Sequence, residues 1–256
     1  MWSPEQYHRY GNERSRPFFD LLAQVSLTDA RAIADLGCGS GELTSVLAER
    51  WPAARIWGVD SSPEMIAEAK SHEIPGRVTF ELGDFRHWNT PLPVELLFSN
   101  AAFQWVRDLP ALLSRLSEMI APGGALAFQV PGNFEAPSHE LLVRLRTSPK
   151  WNSKVGEGAS RHLVVQSPSW YLEFLTNRGM RVEAWETTYM HVLTGENAVL
   201  EWVKGTALRP VLAALSIPEQ NEFCSEYSVL LREAYPVRGF GTVFPFRRIF
   251  VIACRR

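Results

Sequence analysis

The sequence predicts an α/β protein with a mostly parallel sheet and a helical cap built from insertions. Three observations support this prediction. Between Ala32 and about Val130, short apolar runs alternate with segments of helical periodicity, as βαβ units require. The first of these runs ends in three glycines at alternate positions and leads directly into a helical pattern. The 256 residues suffice for one large α/β domain with added segments.

The first five predicted strands are short runs that contain several apolar residues. Their bounds are Ala32–Leu36, Arg55–Val59, Val78–Leu82, Glu95–Ser99 and Ala125–Val130. The segment Ser-Pro-Glu at 62–64 opens one connecting helix, with serine as the cap and proline in the first turn. Another helix starts at Asp108, carries an apolar stripe that reaches Ile120, and is closed by Pro-Gly-Gly at 122–124.

After Pro131 the pattern changes to polar, Gly- and Pro-containing sequence, with one short helix near His139–Arg146. A helix at Ser169–Asn177 and a long strand at Arg181–Val192, which we expect to be parallel, come next. Helices interrupted at Pro210 and Pro218 precede a last strand at Phe246–Cys254. We predict a single domain, residues 1–256, whose core spans about 29–130, 167–194 and 241–256. The cap comprises about 1–28, 131–166 and 195–240.

Composition limits the classes of function. The formal net charge is −2 at pH 7, so no general basic field favours a nucleic-acid partner. The cysteines Cys38, Cys224 and Cys254 are isolated, and they indicate neither a disulfide framework nor a zinc site; we expect no metal. The N-terminus lacks the apolar core of a signal peptide, and no apolar run approaches the ~20 residues that span a bilayer. We therefore predict a cytoplasmic protein with no membrane partner.

The glycine-rich turn from Asp35 to Gly41 predicts a nucleotide-like ligand at the end of the first strand. Glycines permit positive φ and close approach of a ligand, and the helix behind them offers free N–H donors. A dinucleotide fingerprint requires G-x-G-x-x-G, whereas Glu42 occupies the place of the third glycine here. An acid suits a cationic ligand better than a pyrophosphate, and S-adenosylmethionine is such a ligand. The alternative is an ordinary βα turn in an unrelated α/β protein.

Polar residues also stand at the carboxyl ends of the next three strands, where open parallel sheets bind ligands. Asp60 closes the second strand and can accept both ribose hydroxyls. Asp84 closes the third and can accept the adenine amino group, with Phe85 beside the ring. Asn100 closes the fourth. Each residue alone is equally consistent with a loop acid or a helix cap, but their succession favours a binding site.

The glycine turn and these strand-end residues resemble motifs I to IV of the class I S-adenosylmethionine-dependent methyltransferases. The resemblance implies a Rossmann-like sheet of seven strands, the last antiparallel, and S-adenosylmethionine as cofactor. The cofactor-binding residues that it implies are Asp35, Gly37, Cys38, Gly39, Gly41, Asp60, Ser61, Met65, Asp84, Phe85 and Asn100. Ala-Ala-Phe follows Asn100, where amino methyltransferases carry an Asn-Pro-Pro-Tyr type segment. This difference argues against methylation of a nucleobase nitrogen.

Longer segments are similar to the family of trans-aconitate methyltransferases. They are W-S-P-E-Q-Y-H-R-Y-G-N-E-R-S-R-P, R-W-P-A-A-R-I-W-G-V-D-S-S-P-E-M-I-A-E-A, F-S-N-A-A-F-Q-W, T-T-Y-M-H, L-R-P and F-R-R-I-F-V-I-A. This resemblance covers most of the chain and is weakest over Pro149–Val165. It implies an O-methyltransferase that forms the monomethyl ester of trans-aconitate or a close small anionic polycarboxylate.

A carboxylate acceptor needs no general base, because its ordinary pKa of about 4 leaves it ionised at neutral pH. We therefore expect no catalytic acid–base residue. The remaining carboxylates need cationic or hydroxyl anchors, and arginine suits them because it binds carboxylates bidentately. The candidate anchors are Arg14, Gln104, Trp105, Tyr189, His191, Arg209 and Arg248. Strand alternation allows only one of Arg247 and Arg248 to face the site, and a histidine such as His191 is more often structural than a ligand.

Two alternatives remain open from the sequence. One is a methyltransferase for another small molecule, such as a phenol or a lipid acid. The other is an S-adenosylmethionine-binding module without turnover. An NAD-dependent oxidoreductase is disfavoured, because Glu42 breaks the dinucleotide fingerprint.

Overall fold

A computed structural model describes residues 11–90, 92–155 and 165–256, and for residues 11–14 it describes the backbone alone. The strands in this part are β1 (Ala32–Leu36), β2 (Arg55–Asp60), β3 (Val78–Leu82), β4 (Val94–Asn100), β5 (Ile120–Pro131), β6 (Met180–Leu193), β7 (Val237–Arg238) and β8 (Gly241–Arg255). The helices are α1 (Gly11–Gln24), α2 (Glu42–Arg50), α3 (Pro63–Ala69), α4 (Leu109–Met119), α5 (Pro137–Arg146), α6 (Asn152–Val155), α7 (Pro168–Thr176), α8 (Ala198–Lys204), α9 (Arg209–Ala213) and α10 (Ile217–Ala234).

The strands form one sheet in the order β3-β2-β1-β4-β5-β8-β6, with β7 paired to β8. The pairs β3·β2, β2·β1, β1·β4 and β4·β5 are parallel, and β8 is antiparallel to β5. The predicted α/β class, with a mostly parallel sheet and an antiparallel last strand, is confirmed. The two-residue strand β7 is absent from the predicted elements, and β8 begins five residues earlier than predicted.

The central strands are apolar on both faces, because helices cover both sides of a parallel sheet. In β1, Ile33, Ala34 and Leu36 are fully buried, and in β4 Leu97 and Phe98 are too. All parallel strands end at the same edge, so the turns after β1, β2, β3 and β4 share it.

Side-chain hydrogen bonds cap the N-termini of α3 and α4. Ser62 Oγ accepts a hydrogen bond from Met65 N (3.3 Å), and Pro63 begins α3, as predicted. Asp108 Oδ1 accepts from Ala111 N (3.1 Å) at the start of α4. The prediction that this helix extends to Ile120 is wrong, because Ile120 is extended and pairs with Val94 at the start of β5.

The chain divides into two compact units. Of the described residues, the larger unit contains 14–90, 92–131, 165–187 and 248–256, and the smaller unit contains 11–13, 132–155 and 188–247. The predicted division into core and cap has different bounds and stays a prediction. The smaller unit has its own apolar core, which includes Trp151, Trp202, Phe223 and Tyr227.

In the smaller unit, Pro210 and Pro218 lie in the first turn of α9 and α10. They therefore begin helices rather than interrupt them, as proline at this position does not remove an intrahelical hydrogen bond. None of the helices in the described part of the chain is long and apolar enough to cross a bilayer.

Candidate active site

The turn after β1 is a tight backbone loop in which Gly37, Gly39 and Gly41 have φ of 81°, 57° and 78°. A Cβ on Gly37 would lie 2.3 Å from Ala102 Cβ, and one on Gly41 would lie 2.7 Å from Phe80 Cζ. Both positions therefore need glycine for conformation and for space. The nearest atom to a Cβ on Gly39 is the Met65 sulfur at 3.9 Å, an ordinary van der Waals distance, so Gly39 needs glycine for its backbone conformation rather than for space.

Two strand ends hold this loop in place. Gly37 N and Cys38 N donate to the carbonyl of Val59 at 2.8 and 3.1 Å. Asp60 Oδ2 accepts from Gly39 N (3.0 Å), and its Oδ1 accepts from Ser62 N (2.9 Å). Asp60 is partly exposed, and each of its oxygens keeps lone-pair capacity for a further donor. Ser61, beside it, is exposed.

Asp35 supports the loop from inside the protein. Its side chain is buried, and Oδ2 accepts a 2.6 Å hydrogen bond from Thr44 Oγ1 of α2. Burial raises the pKa of Asp35 to about 7; the Thr44 hydrogen bond opposes this rise and the charge of Asp60 adds to it. Asp35 therefore connects the end of β1 to the first turn of α2.

The thiol of Cys38 is buried in the same loop. Burial, with the nearby charges of Asp35 and Asp60, raises the pKa of this thiol, so it does not supply a nucleophilic thiolate at neutral pH. Within the part of the chain that the structure describes, no group of three or more His, Cys, Asp or Glu side chains is arranged to hold a metal ion.

The loop after β3 carries Asp84 and Phe85. The Asp84 carboxylate forms an ion pair with Arg86, in which Nε lies 2.9 Å from Oδ1 and 2.7 Å from Oδ2, and Nη2 also bonds Oδ2. The hydrogen bonds from Arg86 lower the pKa of Asp84, so this carboxylate is an ionised acceptor at neutral pH. Phe85 Cε1 would lie 3.8 Å from a Cβ on Gly37, so the phenyl ring borders the glycine loop.

A second polar group lies at the ends of β4 and β5. Asn100 Oδ1 accepts from Gln129 Nε2 at 2.6 Å, and Gln129 Oε1 lies 3.5 Å from Arg248 Nη1. Arg248 is buried and faces Pro131 across the antiparallel pair of β5 and β8. Gln104 is also buried in this unit, and its Nε2 donates to the carbonyl of Ala101 at 2.6 Å.

The other predicted substrate anchors are distributed differently. Trp105 is 46% exposed in the larger unit. In the smaller unit, Tyr189 and His191 are buried and their rings stack, while His191 also stacks on Trp202 at 4.9 Å. Arg209 is exposed at the start of α9. Arg14 lies in α1, and its side chain is outside the described structure. Their roles toward a substrate stay predictions.

Four residues of this region were absent from the sequence-based candidates: Thr44, Arg86, Arg115 and Gln129. Gln129 has a usable signal, because it is the only polar side chain in the apolar run Ala125–Val130. Thr44 lies in the first helical turn after the glycines. The contacts of Arg86 and Arg115 are side-chain contacts, for which the sequence offers no periodic signal.

These residues fit S-adenosylmethionine. Gly37 and Gly41, whose Cβ positions are blocked, and the N-terminus of α2 leave bare peptide groups that fit the amino-acid end of the cofactor. The acids Asp60 and Asp84 lie at the ends of β2 and β3, in the order that a ribose and an adenine require.

The family model "Methyltransferase domain" matches residues 33–124. Trans-aconitate 2-methyltransferase of Streptomyces avermitilis is 49% identical over 98% of this chain and 96% of its own length. The protein of the same name from Mycobacterium tuberculosis is 44% identical, over 99% of this chain and 96% of its own length.

Solved structures agree on the fold. The plantazolicin methyltransferase BpumL superposes with a TM-score of 0.56 at 14% identity, over 98% of this chain and 89% of that one. The YcgJ protein of Bacillus subtilis gives 0.58 at 12% identity, over 93% and 97%. The sequence relatives match nearly the whole chain and therefore show the family as well as the fold. The chain therefore belongs to the trans-aconitate 2-methyltransferase family of S-adenosylmethionine-dependent methyltransferases.

Proposed function

We propose that the protein is a cytoplasmic S-adenosylmethionine-dependent O-methyltransferase that forms the monomethyl ester of trans-aconitate. Relatives that bear this activity in their names are 44 to 49% identical over nearly the whole chain. The observation that carries the proposal within the structure is the buried guanidinium of Arg248 at the same sheet edge as the glycine loop. Arginine binds carboxylates bidentately, and a polycarboxylate presents several such groups.

The cofactor site consists of residues from the larger unit. Asp60 accepts the ribose hydroxyls, and Asp84 accepts the adenine amino group while Phe85 covers one face of the ring. The backbone of the glycine loop and the N-terminus of α2 hold the carboxylate of the amino-acid end. Bound there, S-adenosylmethionine supplies an electrophilic methyl group on a sulfonium.

Arg248 is the proposed anchor for the acceptor, since a continuous line of contacts runs from the glycine loop to its guanidinium. Gly37 packs against Ala102, which lies two residues after Asn100. Asn100 bonds Gln129, and Gln129 bonds Arg248. Gln129 accepts a long hydrogen bond from one edge of the guanidinium, and the planar fork of an arginine matches the geometry of a carboxylate.

The chain's residues do their work by orientation and exclusion of water. The substrate carboxylate attacks as an anion, so no side chain has to remove a proton. Phe85, which borders the glycine loop, begins a row of rings that continues with the buried Phe103 and Phe128, at centroid separations of 5.6 and 5.1 Å. Such an apolar wall favours a reaction in which an anion and a cation neutralise each other. Alignment of the attacking oxygen with the methyl group supplies the remaining rate enhancement.

The test is incubation with isotopically labelled S-adenosylmethionine and trans-aconitate, with mass spectrometry of the ester. Arg248→Met should raise the KM for trans-aconitate about tenfold or more, since a charged hydrogen bond contributes about 1.5–3 kcal/mol, and should leave the KM for S-adenosylmethionine unchanged. Arg247→Met is the matched control, because its side chain lies on the opposite face of β8 and is less buried.

The outcomes separate the rival functions. No ester, together with normal binding of S-adenosylhomocysteine, would refute the substrate and favour a non-catalytic binding module. Turnover of a phenol or a lipid acid that Arg248→Met does not affect would favour a methyltransferase for another small molecule.

A further inference from the structure

The loop that carries Asp84 and Phe85 is irregular, yet its backbone is tightly constrained. Within the loop, His87 N and Trp88 N both donate to the carbonyl of Asp84 at 2.9 Å. The indole Nε1 of Trp88 donates to Glu81 Oε2 of β3 at 2.7 Å. These bonds shape the loop locally, but they do not connect it to any element beyond its own strand.

Arg115 of α4 makes that connection. Its Nη1 donates to the carbonyl of Trp88 at 2.7 Å and to Asn89 Oδ1 at 3.2 Å, and its Nη2 donates to the carbonyl of Phe85. One planar guanidinium therefore holds two carbonyls of the loop that lie three residues apart. A lysine ammonium, a single point of charge on a flexible stem, cannot reproduce this geometry.

The setting of Arg115 is unusual for a surface arginine. It lies beside the buried leucine stripe of α4, its Nη1 is 3.1 Å from the sulfur of Met119, and burial lowers its pKa. Its Nε is buried and finds no acceptor among the residues that the structure describes. An unsatisfied buried donor destabilises the fold, so stability alone is a poor reason for this side chain.

We propose that Arg115 is a positioning residue of the adenosine site, which sets the Asp84 carboxylate and the Phe85 ring by holding the carbonyls of Phe85 and Trp88. The inference rests on the proposed cofactor site. Arg115 itself bonds the backbone of the loop rather than the cofactor. Its contribution is therefore to affinity and to recognition of the base, because a loop that is not held in one geometry must be ordered on binding.

Calorimetry with two ligands tests this role. S-adenosylhomocysteine carries adenine, whose amino group Asp84 accepts, and its inosine analogue carries hypoxanthine, which presents a carbonyl in that place. The wild type should bind the adenine ligand more tightly. In Arg115→Met, binding of S-adenosylhomocysteine should weaken by roughly tenfold or more, and the ratio of the two dissociation constants should fall toward one. Loss of stability alone would not change that ratio.

Arg178→Met is the matched control. Arg178 is exposed, and its Nε donates to Ser114 Oγ at 3.0 Å. Ser114 lies on the same helix as Arg115. Arg178→Met should bind S-adenosylhomocysteine with the wild-type affinity and should keep the wild-type ratio of the two dissociation constants. Where Arg115→Met does not fold, Arg115→Lys tests the role of Arg115 instead. It should lower the ratio of the two dissociation constants to a smaller extent.

The role of Arg115 would be overturned if Arg115→Met kept the wild-type affinity for S-adenosylhomocysteine and the wild-type ratio of the two dissociation constants. Where Arg115→Met does not fold, the same result in Arg115→Lys would overturn it. Either result would leave the proposed cofactor site intact. A wild type that binds neither ligand would overturn the proposed function, and this inference with it.

Discussion

Asp35 is a buried carboxyl group whose ionisation should make the protein less stable as pH rises. Its pKa in the folded state is about 7, against an ordinary value of 3.8, chiefly because burial penalises the charged form. Between these two pH values the folded chain holds a proton that the unfolded chain has released. The free energy of unfolding must therefore fall as pH rises from about 4 to about 7, and it stays lowered above that range.

Asp35→Asn removes this penalty, because asparagine does not ionise and its Oδ1 can still accept the hydrogen bond from Thr44. A pKa raised by roughly three pH units corresponds to about 4 kcal/mol above pH 7. At pH 5 only about 1.5–2 kcal/mol of this penalty is present, since the unfolded carboxyl is ionised there and the folded one is not. The advantage of the variant over the wild type should therefore grow by about 2–3 kcal/mol between pH 5 and pH 8.

The assay is thermal and urea unfolding, followed by circular dichroism at intervals between pH 5 and pH 8. The growing advantage corresponds to roughly 5–10 °C in Tm for a chain of this size. Thr44→Val is a useful companion, because loss of the opposing hydrogen bond should raise the pKa of Asp35 further and steepen the decline of the wild-type curve. A stability difference between Asp35→Asn and the wild type that stays constant over this pH range would refute the argument.

Two other predictions concern a glycine of the loop after β1 and a histidine of α5. Gly41→Ala should lower the free energy of unfolding by about 2 kcal/mol or more and weaken S-adenosylhomocysteine binding, because it adds a clash with Phe80 to the strain of a positive φ. Gly76→Ala is the control, since Gly76 has a φ of 75° and a Cβ there would meet no atom within 4 Å. In urea titrations this control should lose only the ~1–2 kcal/mol that the backbone strain costs. Burial lowers the pKa of His139 to about 4 from 6.5. The contribution of His139 to stability is therefore full above pH 6.5 and declines as pH falls toward 4. His139→Gln should reduce this loss of stability by about 1 kcal/mol between pH 7 and pH 5, after allowance for the partial exposure of the ring. Equal acid profiles for the two proteins would contradict it.

Elements whose signals are local could be predicted from the sequence. The bounds of β1 and β3 agree with the predicted runs, because each is a short run with apolar residues that a glycine ends. The end of α4 could not be predicted, since the apolar period continues to Ile120 while its pairing with Val94 belongs to the tertiary structure. The strand β7 has two residues, too few for any alternation to be recognised.

The same distinction applies to the candidate site. Positions where the backbone itself forms the site, such as Gly37 and Gly41, are visible as glycines at fixed spacing. The supporting side chains are not visible in this way, because Arg115 contacts residues about 30 positions away in the chain. Asp84 illustrates both cases: its position at a strand end is predictable, whereas its ion pair with Arg86 is known only from the structure.

The order of the sheet also has a consequence for synthesis. The strand β8 lies between β5 and β6, although it follows both of them in the sequence. Until β8 has been synthesised, β5 has an uncovered apolar edge, and β6 has no neighbour in the sheet. The nascent chain therefore exposes strand edges that invite association with other chains. Removal of residues Arg248–Arg256 should thus yield aggregates rather than a shortened enzyme, and a chaperone that shields sheet edges should improve the yield of the intact protein.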